Sequence, residues 1–308
     1  MSTEAGVTGG EEAGMIRMQD PTVQRHRLRD ELRRARDAAD LRQADVAHAM
    51  EWSASKLIRI ERGDVSISTN DLKALLSYYG VRDKGKINGL LELARSARRA
   101  SFYEQYSDQM KAGFKEYLAY EASAAVTRQY QPVLIPGLLQ TEEYARGLFA
   151  GYHRDDPDAA DKGWAVREHR QQVHEWGRPP EMLFVLDEAA LRRPVGRAHT
   201  MLKQLARLKE FAAKPHISIQ IMPFARGAHP GLEGSFILLE FADPNLPNLL
   251  YRDGTVIRDN QIERYTERFV RLQEMALSLD ESVEFLNVLI EEMTSSANLA
   301  NGAEKEAT

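Results

Sequence analysis

The chain has 308 residues, 43% of them hydrophobic and 28% charged, so it is long enough for two folded domains of ordinary size. It contains no cysteine, which excludes disulfides, thiolate metal sites and cysteine nucleophiles. No apolar run approaches the roughly 20 residues of a membrane helix, and the acidic, glycine-rich start is unlike a signal peptide, so we expect a soluble, cytoplasmic protein without membrane contact.

The formal net charge of −5 is distributed unevenly along the chain. Residues 21–99 carry 17 Lys and Arg against 11 Asp and Glu, a balance of +6. Residues 101–308 carry 23 against 31, a balance of −8. A basic segment beside an acidic body is typical of a surface that faces a polyanion. The charge alone is equally compatible with a solvated helical surface.

The first hundred residues contain helical patterns and no strand pattern. Residues 1–20 are expected to form a disordered tail. Five helices are then predicted, at about 23–40, 43–50, 53 or 54–62, 71–80 and 84–99. Ser68 or Thr69 is expected to cap the fourth helix, and Gly80 to end it. An all-α domain of five helices is therefore predicted for residues 21–99.

Residues 42–63 could form one amphipathic helix or two short ones. The apolar positions change phase at Glu51-Trp52-Ser53, so two helices joined by a tight turn explain the pattern better. Ser53 is a natural N-cap for the second helix, and Gly63 a natural stop. This is the helix-turn-helix plan, in which the second helix enters the major groove of DNA.

This stretch resembles the Xre/Cro family of DNA-binding domains. The residues that carry the resemblance are LRRAR at 32–36, LRQADVA at 41–47, the apolar pair Leu57 and Ile60, and ERG at 61–63. The family prefers glycine at the turn, where φ is often positive, and this chain has Glu51 there. The cost of about 1 kcal/mol predicts at most a slight rearrangement of the turn.

The resemblance implies a role for each exposed residue of the motif. Gln43 is expected to bond a phosphate, and Arg59 to read guanine through O6 and N7, a contact worth about 1–3 kcal/mol of discrimination. The other expected DNA contacts are Ala54 and Ser55 with bases, Lys56 and Arg62 with phosphates, and Ser53 at the start of the reading helix. The resemblance also implies a structural ion pair between Arg36 and Glu61.

A mixed α+β domain is predicted for residues 100–293. Residues 101–130 are rich in aromatics and are expected to be helical. Strands are predicted at 181–188, 216–224, 234–241 and, as a hairpin or bent strand, 248–259. Two helices near 260–278 and 280–293 close the domain, and residues 294–308 are expected to be a disordered polar tail.

The second half also resembles a known family. PGLLQTEEYAR at 136–146, DEAALRRPVG at 187–196 and the ISIQIMPF and HPGLEGSFILLEF segments resemble the C-terminal domain of WhiJ-type, antitoxin-like regulators of actinomycetes. The resemblance extends from about residue 25 to residue 290. It implies a transcriptional regulator, most often a repressor, whose C-terminal domain binds a small acidic partner protein. We expect a homodimer on a dyad-related operator in double-stranded DNA, and therefore a nucleoid location when bound.

The histidines and carboxylates form no catalytic pattern. His169 and His174 are five residues apart, about 140° around a helix, so they do not converge as zinc ligands four residues apart would. His216 and His229 lack carboxylates at metal spacing, and Asp187 is expected to cap a turn. We therefore expect no enzymatic activity, no cofactor and no metal.

Three functions remain open from the sequence. The protein is a sequence-specific regulator, an antitoxin-like module that neutralises a neighbour-encoded protein and autoregulates, or a small-molecule-gated sensor. The aromatics of residues 102–130, with Trp164 and Trp176, belong to the core, their usual role at helical spacing, or line a ligand pocket, and an exposed apolar groove for a partner helix is equally open. No motif in the sequence identifies the operator or the effector, and none indicates whether the protein represses or activates transcription.

Overall fold

The computed structural model describes residues 20–152, 156 and 158–306. An all-helical domain comes first, followed by a domain with a six-stranded sheet, which confirms the predicted fold class. The helices of the first domain are α1 (Pro21–Ala38), α2 (Gln43–Ala49), α3 (Ala54–Arg62), α4 (Thr69–Tyr78) and α5 (Lys84–Ala97). The tail predicted for residues 1–20 lies outside the described residues except for Asp20.

Local capping signals define the ends of these helices. Ser53 Oγ accepts a hydrogen bond from the Lys56 amide at 3.2 Å, and Ser68 Oγ accepts one from the Asp71 amide at 3.0 Å. Gly63 ends α3 with φ 80°, a left-handed conformation that glycine adopts at little cost. One hydrophobic core joins the five helices, and its fully buried members are Leu32, Val46, Leu57, Leu72, Leu75 and Leu76.

The second domain alternates helices and strands. Its α-helices are α6 (Ala112–Glu121), α7 (Glu142–Tyr152), α8 (Ala159–Gln171), α9 (Glu188–Arg192), α10 (Ala198–Ala212), α11 (Gln261–Met275) and α12 (Leu279–Glu306). Its strands are β1 (Val126–Gln131), β2 (Glu181–Asp187), β3 (Ile217–Met222), β4 (Phe236–Glu240), β5 (Leu249–Arg252) and β6 (Thr255–Ile257). A 3₁₀ helix, Phe102–Gln109, precedes α6. In the described part of the chain, no helix has the length and hydropathy that crossing a bilayer requires.

The sheet has the order β3-β2-β1-β4-β5-β6. β1, β2 and β3 are parallel, whereas β4, β5 and β6 pair antiparallel. α11 covers one face, where Tyr265, Phe269 and Leu272 meet Val185 and Phe236. The other helices pack on the opposite face around two further apolar clusters. Helices on both faces explain why β2 is mostly apolar, as strands of a buried parallel sheet are.

Two predictions for this domain were wrong. Residues 101–130 were expected to be helical, but Val126–Gln131 forms β1 in the middle of the sheet. The buried polar side chains of Thr127 and Gln129 on one face of β1 conceal the apolar pattern of an inner strand. Disorder was expected from residue 294, but α12 continues without interruption to Glu306. Residues 307–308 lie outside the described residues.

α1 belongs to both domains. Its first turn buries Val23 among aromatics of the second domain, and Asp20 Oδ2 accepts a hydrogen bond from Ser101 Oγ at 2.6 Å. Arg25 pairs with Glu104 at 3.0 Å. Arg27 pairs with Asp243 of the second domain at 2.7 Å. Some of the arginines that give residues 21–99 their positive balance therefore form ion pairs with the acidic second domain.

Candidate nucleic-acid interface

The turn between α2 and α3 forms without rearrangement. Glu51 takes the left-handed conformation itself, with φ 54°, and the Trp52 amide donates to the Ala47 carbonyl at 2.8 Å. A non-glycine residue in this conformation costs about 1 kcal/mol, which the packing of the two helices offsets. α2 and α3 are therefore held in the helix-turn-helix arrangement that the sequence predicts.

A buried carboxylate fixes α3 against its neighbours. Glu61 is fully buried and accepts hydrogen bonds from Arg36 Nε at 2.7 Å and Arg36 Nη2 at 3.2 Å. It also accepts from Gln43 Nε2 at 2.7 Å and Tyr79 Oη at 3.5 Å. The hydrogen bond to Glu61 raises the pKa of Arg36. One side chain of α3 thus connects α1, α2 and the end of α4, so the backbone of α3 is rigidly placed.

The outer face of α3 presents Ser55, Arg59 and Arg62, which are exposed and lie at positions i, i+4 and i+7. Leu57 and Ile60 point the other way, into the core. Neither the Arg59 nor the Arg62 side chain has a hydrogen bond or ion pair to any residue that the structure describes. The guanidinium groups of Arg59 and Arg62 therefore point outward from a helix of fixed position, which is the geometry that recognition in the DNA major groove needs.

The other sequence candidates have partners inside the domain. Lys56 Nζ lies 3.1 Å from Asp71 Oδ2 and 4.0 Å from the centre of the Trp52 ring, so its charge is partly compensated. Ser53 caps α3, and Ala54 is exposed in its first turn. Gln43 uses one amide hydrogen for Glu61 and keeps the second for an outside acceptor. Their DNA contacts stay predictions.

Sequence reasoning missed Arg42 as a candidate. It is exposed directly before α2 and has no partner among the described residues. Its position in the sequence, beside Gln43 at the start of the first helix of the motif, would have identified it as a candidate for DNA contact. Arg42 adds a third uncompensated cation to the helix-turn-helix surface.

The histidines that were weighed as metal ligands have other contacts. His169 stacks on Phe102 with ring centroids 3.7 Å apart. His174 Nε2 lies 3.0 Å from the Leu138 carbonyl, and burial lowers the pKa of His174 to about 4. Within residues 20–152, 156 and 158–306, no three His, Cys, Asp or Glu side chains are grouped so that they would hold a metal ion.

Asp187 lies at the carboxyl end of β2 and connects three segments. Its Oδ1 accepts from the Ala189 amide at 2.9 Å, as a cap of α9. Its Oδ2 lies 3.4 Å from both Tyr130 Oη and His229 Nε2. His229 Nδ1 accepts a hydrogen bond from the Gly231 amide at 3.2 Å, so Nε2 is the ring nitrogen that faces Asp187. This buried cluster attaches the 229–234 loop to the sheet.

Comparison with known families agrees with the division of the chain into two parts. Residues 27–85 match the family described as a helix-turn-helix domain. Residues 114–288, more than half of the chain, match DUF5753, described as a domain of unknown function. The protein belongs to the DUF5753 family and carries a helix-turn-helix domain of the kind typical of DNA-binding regulators. Neither the curated proteins nor the solved structures contain a match.

Proposed function

We propose that the protein is a sequence-specific transcriptional regulator of the Xre/Cro type, with a WhiJ-type C-terminal domain, and that it acts as a repressor. The observation that carries the proposal is the outward face of α3, where Arg59 is exposed and uncompensated within the described structure. Glu61 and its partners hold that helix rigidly. Preorganised side chains lose less entropy on binding, which favours sequence reading.

The proposal assigns different tasks to the exposed residues. Arg59 reads a base pair in the major groove, with Ser55 and Ala54 beside it, because these side chains lie in the first turns and on the outer face of α3. Arg62 and Arg42 contact phosphates, which gives affinity without sequence information. A homodimer places two such helices on half-sites about one helical turn apart.

Selection of genomic DNA fragments by the purified full-length protein tests this proposal. Wild type is compared with Arg59→Ala and with Arg95→Ala, an exposed arginine of α5, at near-physiological salt. We expect wild type and Arg95→Ala to enrich the same short dyad-related motif and Arg59→Ala to lose it. Equal enrichment by all three proteins would show that α3 is not the reading helix.

We propose further that the C-terminal domain acts by binding and not by catalysis, without a cofactor or metal. An acidic partner protein is favoured by one observation: Phe224 and Leu232 are 58% and 68% exposed, and the exposed Arg226 lies beside Phe224. Large exposed apolar side chains near a cation are typical of interaction surfaces.

Co-expression tests the partner. The resemblance to WhiJ-type regulators implies an acidic partner encoded beside this chain, and we expect that partner to co-purify with wild type and with Leu279→Ser, an exposed apolar position on α12. Phe224→Ser is expected to lose it. Retention of the partner by Phe224→Ser would exclude this surface as its binding site.

A further inference from the structure

Two arginines of α8 have contrasting surroundings. Arg170 is buried and pairs with Glu121, Nε to Oε2 at 2.7 Å, and this carboxylate raises the pKa of Arg170 although burial alone would lower it. Arg167, one turn earlier, donates from Nε to Gln140 Oε1 at 2.6 Å and from Nη1 to the Gly163 carbonyl at 3.2 Å. It has no carboxylate partner among the described residues. Burial, and next the charge of Arg170, lower the pKa of Arg167 to about 10.

Arg167 lines an open cavity of about 530 Å³. The cavity lies among the 3₁₀ helix Phe102–Gln109, α6, α7, α8 and the β5–β6 hairpin. Its aromatic walls are formed by Tyr106, Phe114, Phe149 and Tyr251. The Arg167 guanidinium lies 4.6 Å from the centre of the Phe149 ring. The size and the mostly apolar lining with a few polar groups are those of small-molecule sites.

Two glycines keep the cavity walls in place. A Cβ at Gly163 would collide with the Phe149 ring, so only glycine lets that ring lie against α8. A Cβ at Gly113 would collide with the backbone carbonyl of Gly254, so glycine there lets the start of α6 meet the β5–β6 turn. The cavity is therefore bounded by close backbone contacts that define its shape.

The charges around the cavity are mainly positive. Of the described residues, Lys111, Lys162 and Arg167 line it together with one carboxylate, that of Asp156. Lys162 lies 3.7 Å from Asp158 and is partly compensated. Lys111 is exposed to solvent at the start of α6. Among the described lining residues, the uncompensated cation on the inner wall is therefore Arg167, whose remaining guanidinium nitrogen, Nη2, has no described partner. A mostly buried cation of this kind is stabilised by an anion that completes its hydrogen bonds.

We propose that this cavity binds a small organic monoanion, a carboxylate with an aromatic or other flat apolar body, whose charged group pairs with Arg167. The aromatic walls contact the apolar body, and Arg167 receives the carboxylate. One inner cation among apolar walls fits a monoanion better than a polyphosphate, which needs several cations and amides. The inference does not depend on DNA binding.

Two fluorescent probes with the same ring skeleton separate the charge from the apolar body. 8-Anilinonaphthalene-1-sulfonate carries a sulfonate that stands in for the carboxylate, and N-phenyl-1-naphthylamine is neutral. We expect the full-length protein to bind one equivalent of the anionic probe. Arg167→Gln is expected to weaken that binding by about tenfold or more, the effect of a lost charge-assisted hydrogen bond, and to change binding of the neutral probe less than about twofold.

Three further variants control the probe-binding experiment. Arg167→Lys keeps the charge and should retain most of the preference for the anion. Arg271→Gln, an exposed arginine on α11 at the opposite face of the sheet, should bind both probes as wild type does. If Arg167→Gln does not fold, Tyr106→Ala at the aromatic wall should weaken both probes. Unchanged anion binding by Arg167→Gln, or by Tyr106→Ala in that case, would overturn the proposal.

Discussion

His26 of α1 and Tyr120 of α6 connect the two domains through a 2.6 Å contact between His26 Nδ1 and the tyrosine hydroxyl. Burial, and next the charge of Arg29, lower the pKa of His26 to about 4. The imidazole is therefore neutral at pH 7, and its Nδ1 shares a hydrogen bond with the tyrosine hydroxyl. The ionisable groups that face it are Arg29 and Asp30 on α1, Glu116 and Tyr120 on α6, and Arg258 after β6.

This contact predicts a stability that falls in acid. Because the unfolded chain protonates His26 near pH 6.5 and the folded protein only near pH 4, lowering the pH across this window favours unfolding. His26→Gln removes the contribution, so the difference from wild type should change by up to about 3 kcal/mol between pH 7 and pH 4. Urea unfolding at several pH values measures it.

The buried His174 has its pKa lowered in the same direction, so wild type alone does not isolate the effect. His48→Gln, at an exposed position of α2, is the matched control and should follow the wild-type curve. Identical pH dependence in wild type and His26→Gln would contradict the role of His26 at the domain contact.

The network around Glu61 predicts a large loss of stability when its charge is removed. Glu61→Gln leaves the mostly buried Arg36 with only the exposed Asp37 as a carboxylate partner, which costs about 2–4 kcal/mol. Glu31→Gln, which breaks the more exposed pairs with Arg34 and Lys86, should cost about 1 kcal/mol or less. Urea unfolding followed by circular dichroism compares the two variants, and equal losses would show that the buried pair contributes no more than the exposed one.

The conformation of Glu51 predicts a gain in stability. Glu51→Gly removes the strain of a left-handed glutamate and should stabilise the first domain by about 0.5–1 kcal/mol. Thermal unfolding measures the change. Glu51→Ala removes the same charge but keeps the strained Cβ, so it should give no comparable gain. Equal stabilisation by both variants would assign the effect to charge and not to the backbone.

The exposed position of Arg62 on the outer face of α3 predicts that this residue contributes to the salt dependence of DNA binding. If it contacts one phosphate, Arg62→Gln should reduce the slope of log affinity against log salt by about 0.9, the value for one released counterion. The fragment selected by the wild-type protein serves as the probe, titrated at four or more salt concentrations. Arg95→Gln should leave the slope unchanged, and an unchanged slope for Arg62→Gln would remove it from the phosphate contacts.

The sequence by itself determined the secondary-structure elements that depend on residues close to one another in the chain. The change of phase at residues 51–53, the cap at Ser53 and the stop at Gly63 specify α2 and α3, because caps and turns are set by side chains within a few positions. The strands with alternating or continuous apolar residues were also readable. β1 was not, since Thr127 and Gln129 are polar and are buried only because segments distant in the chain cover them.

Tertiary structure alone decided which charges are used within the protein and which remain available. Arg25 pairs with Glu104 and Lys56 with Asp71, whereas Arg59, Arg62 and Arg167 find no carboxylate among the described residues. A local pattern shows that a residue is charged, but its partner comes from a segment brought near by folding. Compensation, burial and pKa depend on that partner, so the uncompensated cations of α3 and the aromatic cavity became visible only in the folded chain.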